Sequence, residues 1–454
     1  MGGPFREPPL GNFISSPLGL VPKKTPGQFR IIHDLSFPKG NSVNSHIPRE
    51  WATVSYELLD DALKIIHHLG HGTLVAKADI ESAFRIIPLS PQSYHLTGFH
   101  FNNWFYYDKV LPFGCSSSCQ IFEDFGTAVH WILQHHFKVP FVSHIIDDYM
   151  FFGPKNSEIC KLSLRKFMLL ADDLGIPVKH QKTVHPCTKL ELHGILVDTV
   201  QWSVSLPPDK TLETRAKLRV LISKSKATLR EVQSAIGSLS FATKVIRPGR
   251  AFLRRLINLT VGTKYPHHHI RINGEAKADL RAWLYFLDQF NGSTIVPDPH
   301  WLSPAQVRLQ TAASDQGYAA VLGPRWFRGR WPTQWLTLPA EVRDLFPIVT
   351  AIDMWASTLS NKNIILLCPS TIVATAINNT TSKNHSMMSL IRQLVITTML
   401  SNILCKAVHA PQANHSTASE LSTFQADVSH YQDLTTEAVL PVRLQPWSTK
   451  QQLS

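Results

Sequence analysis

No two cysteines in this chain are spaced to grip a metal or to cycle as a redox disulfide. The six, Cys115, Cys119, Cys160, Cys187, Cys368 and Cys405, form no CxxC unit, so reduced and mostly buried thiols are expected. Charge is scarce as well. Charged residues make up 17% of the chain against 44% apolar ones, a balance that supports two to four globular domains and confines expected disorder to the ends. Long apolar runs are missing. The best, LIRQLVITTMLSNILCKAV, is broken by Arg392 and Lys406, which leaves too little to cross a bilayer and suggests an amphipathic helix running into a strand. No solenoid-type repeat is present. The opening MGGPFREPPL resembles no secretion leader and has Arg6 where a myristoylation signal needs Ser or Thr. An intracellular protein, cytoplasmic or nuclear and not secreted, with no lipid anchor and no membrane partner, is the expectation.

Positive charge is plentiful by comparison. Forty-five Lys and Arg against 33 Asp and Glu give a formal +12 and a pI near 9.4, which suits a polyanion such as nucleic acid. The triplet His267 to His269 does not add a metal site, since three adjacent histidines on a regular element cannot all face one ion, and a solvated loop is expected.

In SHIIDDYMFF two adjacent aspartates, Asp147 and Asp148, lie between apolar runs that read as short buried strands. A buried carboxylate normally escapes its desolvation cost by taking up a proton, whereas a divalent cation lets both stay ionised. On this stretch alone a metal site and an ordinary hairpin turn are both open. The surrounding order helps. LGLVPKKTPGQFRIIHDLS reads as a basic hairpin turning at Thr25 to Gln28, Glu57 to Leu69 as a helix ended by Gly70 and Gly72, and LVAKADIESAF as a strand up to Asp79. The hairpin FHFNNWFYYDKVL follows, then the turn-rich LPFGCSSS, a helix from about Cys119 to Gln134, the aspartate pair, and a helix from about Ser157 to Leu174. Strand, helix, hairpin, helix, strand is a ferredoxin-like layout, with helices on one face of an antiparallel sheet. Asp79 would then lie beside Asp147 and Asp148, giving three carboxylates for a two-ion site.

From Pro207 the pattern turns helical and basic. Thr228 and Glu231 form a capping box ahead of Leu229, Val232, Ile236 and Leu239, and Lys244, Arg247, Arg250, Arg254 and Arg255 make either a phosphate-binding face or a solvated one. NGSTIVPDP, residues 291–299, reads as a linker. Beyond it come three strands, a helix over AEVRDLFPIVTAIDMW, the strand NIILLCP, and a helix-strand-helix succession to about Phe424.

Taken in order, SPLGLVPKKTPGQFRIIHDLSFPKGNSVN, AKADIESAFRIIPL, LPFGCSSSCQIFE, HIIDDYMFFGP, LGIPVKHQKT, LELHGI and KVIRPGRAFLRRLI resemble the reverse transcriptases of LTR-type retroelements. The closest likeness is to DIRS-type, tyrosine-recombinase retrotransposons. The resemblance implies an α+β right-hand polymerase with fingers, ferredoxin-like palm and helical thumb, followed by an α/β RNase H-like domain. It divides the chain into fingers and palm over 1–205, thumb over 206–262, connection over 263–300, RNase H-like domain over 301–428 and a tail over 429–454. It implies that Asp79, Asp147 and Asp148 bind two Mg2+ ions, with Mn2+ as a substitute, and act on a primed RNA or DNA template with deoxynucleoside triphosphates. Lys182 matches a proton donor to pyrophosphate, Arg30 with Lys23 or Lys24 the triphosphate grip, Phe84 the gate against the 2'-hydroxyl, and Phe113 and Gly114 the nucleotide-facing turn. Two departures stand out: Ile145 replaces the usual aromatic two positions before the aspartate pair, and Phe113 stands where related enzymes have Gln or Met.

Further on, the same resemblance implies a lost hydrolytic site. TDAS appears as TAAS, placing Ala312 at the first acidic position; Asp344 replaces Glu; CDN becomes CPS, with Pro369 at the third; and ADALS becomes ASELS, with Ser419 at the last. Asp315 and Glu420 are displaced by position or by helical rotation, and His409 has no site left to assist. An RNA-directed DNA polymerase without RNase H activity is expected, the alternative being a non-catalytic nucleic-acid-binding or structural remnant of such an element.

Overall fold

The computed structural model describes residues 1–22, 27–290, 293–295, 301–410 and 417–425. They fall into two compact units, Met1–Ser203 and Val204–Ser454.

The first unit opens with β1 (Gly2–Phe5) and the hairpin β2 (Leu18–Pro22) and β3 (Phe29–His33). Next is α1 (Leu59–Leu69), whose Leu59, Ala62, Leu63 and Ile66 share a buried face and whose end is set by Gly70 at φ 84°. There follow β4 (Leu74–Asp79), the hairpin β5 (Gly98–Phe101) and β6 (Trp104–Tyr107), α2 (Ser118–His135), β7 (Val142–Ile145), β8 (Asp148–Gly153) and α3 (Ile159–Leu174). β9 (Val184–Cys187), β10 (Lys189–Leu192) and β11 (Ile195–Asp198) complete it. Four strands form one antiparallel sheet in the order β7-β8-β4-β9. This is the ferredoxin-like order, with α2 and α3 as the crossovers. Phe122, Val129 and Leu133 of α2 and Leu164, Phe167 and Leu170 of α3 are buried with Ala76, Ala78, Tyr149 and Phe151 of the sheet in one core. Truncating a fully buried Phe such as Phe167 typically costs about 3–5 kcal/mol. The strand β1 was not legible in the sequence. It pairs with β6 through Gly2 opposite Tyr107 and Phe5 opposite Phe105, and a Cβ on Gly2 would lie 2.3 Å from the Tyr107 ring, so this close approach of backbone to aromatic ring needs a glycine.

The second unit begins with α4 (Pro208–Ser223), α5 (Leu229–Ala242), α6 (Arg254–Thr260) and α7 (Gly274–Phe290). The capping box is formed as expected: Glu231 accepts the Thr228 backbone N–H at 2.7 Å and Thr228 Oγ1 accepts from Glu231 N at 3.3 Å. His267, His268 and His269 are exposed. Beyond α7 the strands Leu309–Ala313, Gly317–Leu322 and Arg325–Arg330 form an antiparallel sheet. Asn363–Cys368 and Leu404–His409 pair in parallel as a separate one. Two helices, Thr371–Asn379 and His385–Leu400, connect the parallel strands where the sequence suggested one, because Asn384 caps a new helix by accepting from the backbone of Ser386 and Met387. Asp279 of α7 is 2% exposed and pairs with Arg255 of α6 at 3.3 Å and Arg392 at 3.5 Å. Burial pushes its carboxyl up to about 6 against the pull of both arginines. Arg255 is therefore held inside the unit, and the basic cluster it belongs to is not wholly a solvated face. Among the described residues no helix is long and apolar enough to cross a membrane.

Candidate active site

Antiparallel pairing of β4 with β8 places Asp79 directly opposite Asp148. The turn between β7 and β8 carries Asp147, whose backbone carbonyl accepts from Ile80 N at 2.9 Å. All three aspartates thus lie at the same end of the two central strands, close enough for their charges to act on one another. Burial, and then the charges of Asp148 and Asp79, hold the Asp147 carboxyl above the usual carboxylate range. Lys182 lies on the single turn His180–Lys182 before β9 and donates to Asp79 at 2.7 Å. That hydrogen bond, with the pull of the aspartates, raises its ammonium pKa. Four of the residues singled out in the sequence are therefore neighbours.

The turn itself is unusual. Ile146 adopts φ 54°, a left-handed conformation that a β-branched residue rarely takes. Its N–H donates to Glu123 Oε2 at 2.9 Å; Glu123 is only 6% exposed, and burial raises its carboxyl above the ordinary range. Glu123 was not anticipated, and nor was Lys77, which donates to Asp148 at 2.8 Å. Lys77 and Asp148 are diagonal neighbours across the β4–β8 register, a relation visible only once the register is known.

The remaining residues form a chain of contacts leading away from β3. The Arg30 guanidinium lies 5.0 Å from the Phe113 ring centroid, and Phe113 is 5.0 Å from Phe84. Phe84, 9% exposed, also packs on Phe122, so most of its surface belongs to the core. Gly114 sits at φ 122°, where a Cβ would lie 2.0 Å from the His33 carbonyl oxygen. This backbone contact is sufficient reason for glycine at that position. Lys23 and Lys24 lie outside the described residues. A further buried group was missed: Asp108, held below the usual carboxylate range despite its burial by His33 and Arg85, which is 2.8 Å away.

Hard oxygen donors on adjacent strand ends are the set that Mg2+ or Mn2+ takes, and a divalent cation would relieve the repulsion that raises Asp147. The donor chemistry fits.

In the second unit the corresponding positions look different. Ala312 is 3% exposed and packed in an apolar cluster with Ala319, Val321, Trp326, Ala418 and Leu421. Burial pushes Asp344 up to about 6, and its charge helps raise the Cys368 thiol beside Pro369. Asp315 pairs with Arg343 at 3.1 Å, while Glu420 and His409 are exposed.

A sheet of this order is consistent with a right-hand polymerase fold, and the overall fold is similar to that of a foamy viral protease-reverse transcriptase dRH in complex with ds DNA. That likeness has a TM-score of 0.50 at 17% identity and covers 89% of this chain and 66% of the other. Residues 21–202 match the family described as reverse transcriptase (RNA-dependent DNA polymerase), so the chain carries a reverse-transcriptase region. Two viral proteins are similar in sequence. One is a putative enzymatic polyprotein of Cassava vein mosaic virus, 29% identical over 39% of this chain. The other is Protein P of Duck hepatitis B virus (strain Germany/DHBV-3), 24% identical over 56% of it. The matches span only 25% and 32% of those two relatives.

Proposed function

We propose that this chain is an RNA-directed DNA polymerase of retroelement origin, and that its RNase H-like portion does not hydrolyse RNA. The observation that carries the reading is the placement of Asp79, Asp147 and Asp148 at the same end of the two central strands, with Lys182 hydrogen-bonded to the first of them. In this reading the three aspartates hold two Mg2+ ions, which when bound supply Lewis acidity toward the primer 3'-hydroxyl and neutralise the triphosphate. Lys182 keeps a proton on Nζ for the departing pyrophosphate. Arg30, with Lys23 or Lys24, grips the triphosphate, the Phe84 edge excludes a 2'-hydroxyl, and Phe113 and Gly114 shape the nucleotide-facing turn. Residues 1–205 would serve as fingers and palm, 206–262 as thumb, 263–300 as connection and 301–428 as a scaffold or hybrid-binding platform. The DIRS-type affinity rests on the motifs alone.

The second reading, a non-catalytic nucleic-acid-binding remnant, is favoured by one observation: Ala312 and its apolar neighbours fill a place where a metal-binding carboxylate is expected. Primer extension by purified protein on an RNA template, with Mg2+ and deoxynucleoside triphosphates, separates the two. Templated incorporation that disappears in Asp147→Asn supports the polymerase. Template binding without incorporation supports the remnant, and incorporation indifferent to Asp147→Asn defeats the mechanism.

A further inference from the structure

On the side of β7 facing α2 a second group of ligands comes together, none of it used above. His130 Nδ1 and His144 Nδ1 are 2.8 Å apart, and Glu57 Oε1 is 3.7 Å from His130 Nδ1. All three ligand atoms lie within 4.8 Å of one another. The carboxylate is oriented from behind, because its other oxygen accepts from the Ser143 hydroxyl and from His144 N at 3.2 Å. The His144 ring is just as constrained. Its side chain is 4% exposed, Gly126 leaves room for it against α2, and its buried Nε2 makes no hydrogen bond but lies 3.5 Å from Glu123 Oε1.

We propose that Glu57, His130 and His144 form a binding site for a borderline transition-metal cation, with Zn2+ as the fitting ion. Two imidazoles and one carboxylate are a common zinc donor set, with a fourth position left to water. That position is available here because the Glu57 side chain is 34% exposed. Glu123 completes the arrangement: a histidine that ligates through Nδ1 donates its other ring N–H to a carboxylate, and Glu123 is the group in reach of Nε2. Two nitrogens bound tetrahedrally to one zinc stand about 3.3 Å apart, so the rings need separate by only a few tenths of an ångström. An ion here would tie the segment before α1, helix α2 and strand β7 together, on the strand that leads directly into the turn carrying Asp147. Its three ligands are distinct from the aspartates, although Glu123 touches both His144 and the turn, and the inference does not depend on polymerase activity.

The test uses the full-length, untagged chain with Asp147→Asn and Asp148→Asn, so that the palm carboxylates do not compete, stripped by a chelator and titrated with Co2+. One Co2+ per chain, giving a visible ligand-field band bleached by one equivalent of Zn2+, is expected. His130→Gln, which keeps a hydrogen-bonding partner for His144 but no ring ligand, should abolish the band. Glu57→Gln, at the exposed ligand, should weaken binding by about tenfold or more and decides the matter if His130→Gln does not fold. No band in the parent protein, or a band unchanged in both variants, overturns the site and leaves a plain histidine–histidine hydrogen bond.

Discussion

The palm edge and the corresponding positions of the second unit both concern carboxylates, and they have opposite surroundings. At the palm edge each of two aspartates faces a lysine, Asp79 facing Lys182 and Asp148 facing Lys77, with Asp147 held between them. In the second unit Asp344 is the one acid left at a position the resemblance implies, and burial, with the charge of Glu341 and against the pull of Arg343, pushes it toward the protonated form. Burial raises the carboxyl in both regions, Asp147 as well as Asp344. What differs is the company: Asp147 has two further aspartates beside it, each paired with a lysine, whereas the acids that the resemblance implies around Asp344 are missing.

The sharpest way to break this contrast is to remove one carboxylate from each region. Asp148→Asn should cut primer extension about 10³-fold, roughly 4 kcal/mol of lost transition-state stabilisation. Asp344→Asn should leave it unchanged. Equal losses in a steady-state extension assay would erase the distinction. Next in size is restoration. Ala312→Asp introduces a charge into the cluster of Trp326, Ala418 and Leu421 and should lower stability by about 3 kcal/mol in urea unfolding, without producing RNA/DNA hybrid cleavage. Cleavage by that variant would mean the remaining positions still assemble a site. The smallest effect is a titration. Asp344 ionises near 6 in the folded chain and near 3.9 when unfolded. Across that window the native state holds the extra proton, so the residue's contribution to stability is greatest below it, falls as pH rises through it and is flat above. Scanning calorimetry of Asp344→Asn should show the slope between about pH 4 and 6 flattened. An unchanged slope would place the ionisation elsewhere.

Much of the palm was legible because its signals are local. Helical spacing marked α1, short apolar runs marked β4 and β8, and the strand-helix-hairpin order sufficed to bring Asp79 to the aspartate pair. What stayed hidden depends on register and on contacts distant in sequence. Lys77 reaches Asp148 only through the cross-strand diagonal. Glu123, His130 and Glu57 converge on β7 from two separate segments, with the seven-residue spacing of Glu123 and His130 along α2 as the one available clue. The resemblance matches Gly114 to a turn whose backbone approaches the nucleotide, and the structure adds a close approach to the His33 backbone that no local pattern announces. Strand β1 had no hydrophobic alternation to announce it, since its fit depends on side chains that Gly2 and Gly3 lack.

The left-handed Ile146 has one more consequence. A turn locked in an uncommon backbone state by a buried carboxylate has given up its conformational freedom at folding. Little disorder then remains to be lost when charged ligands reach Asp147. On the proposed reading, association at this end of the strands is governed by charge and shape rather than by ordering entropy, with the turn as a preformed template rather than a closing loop.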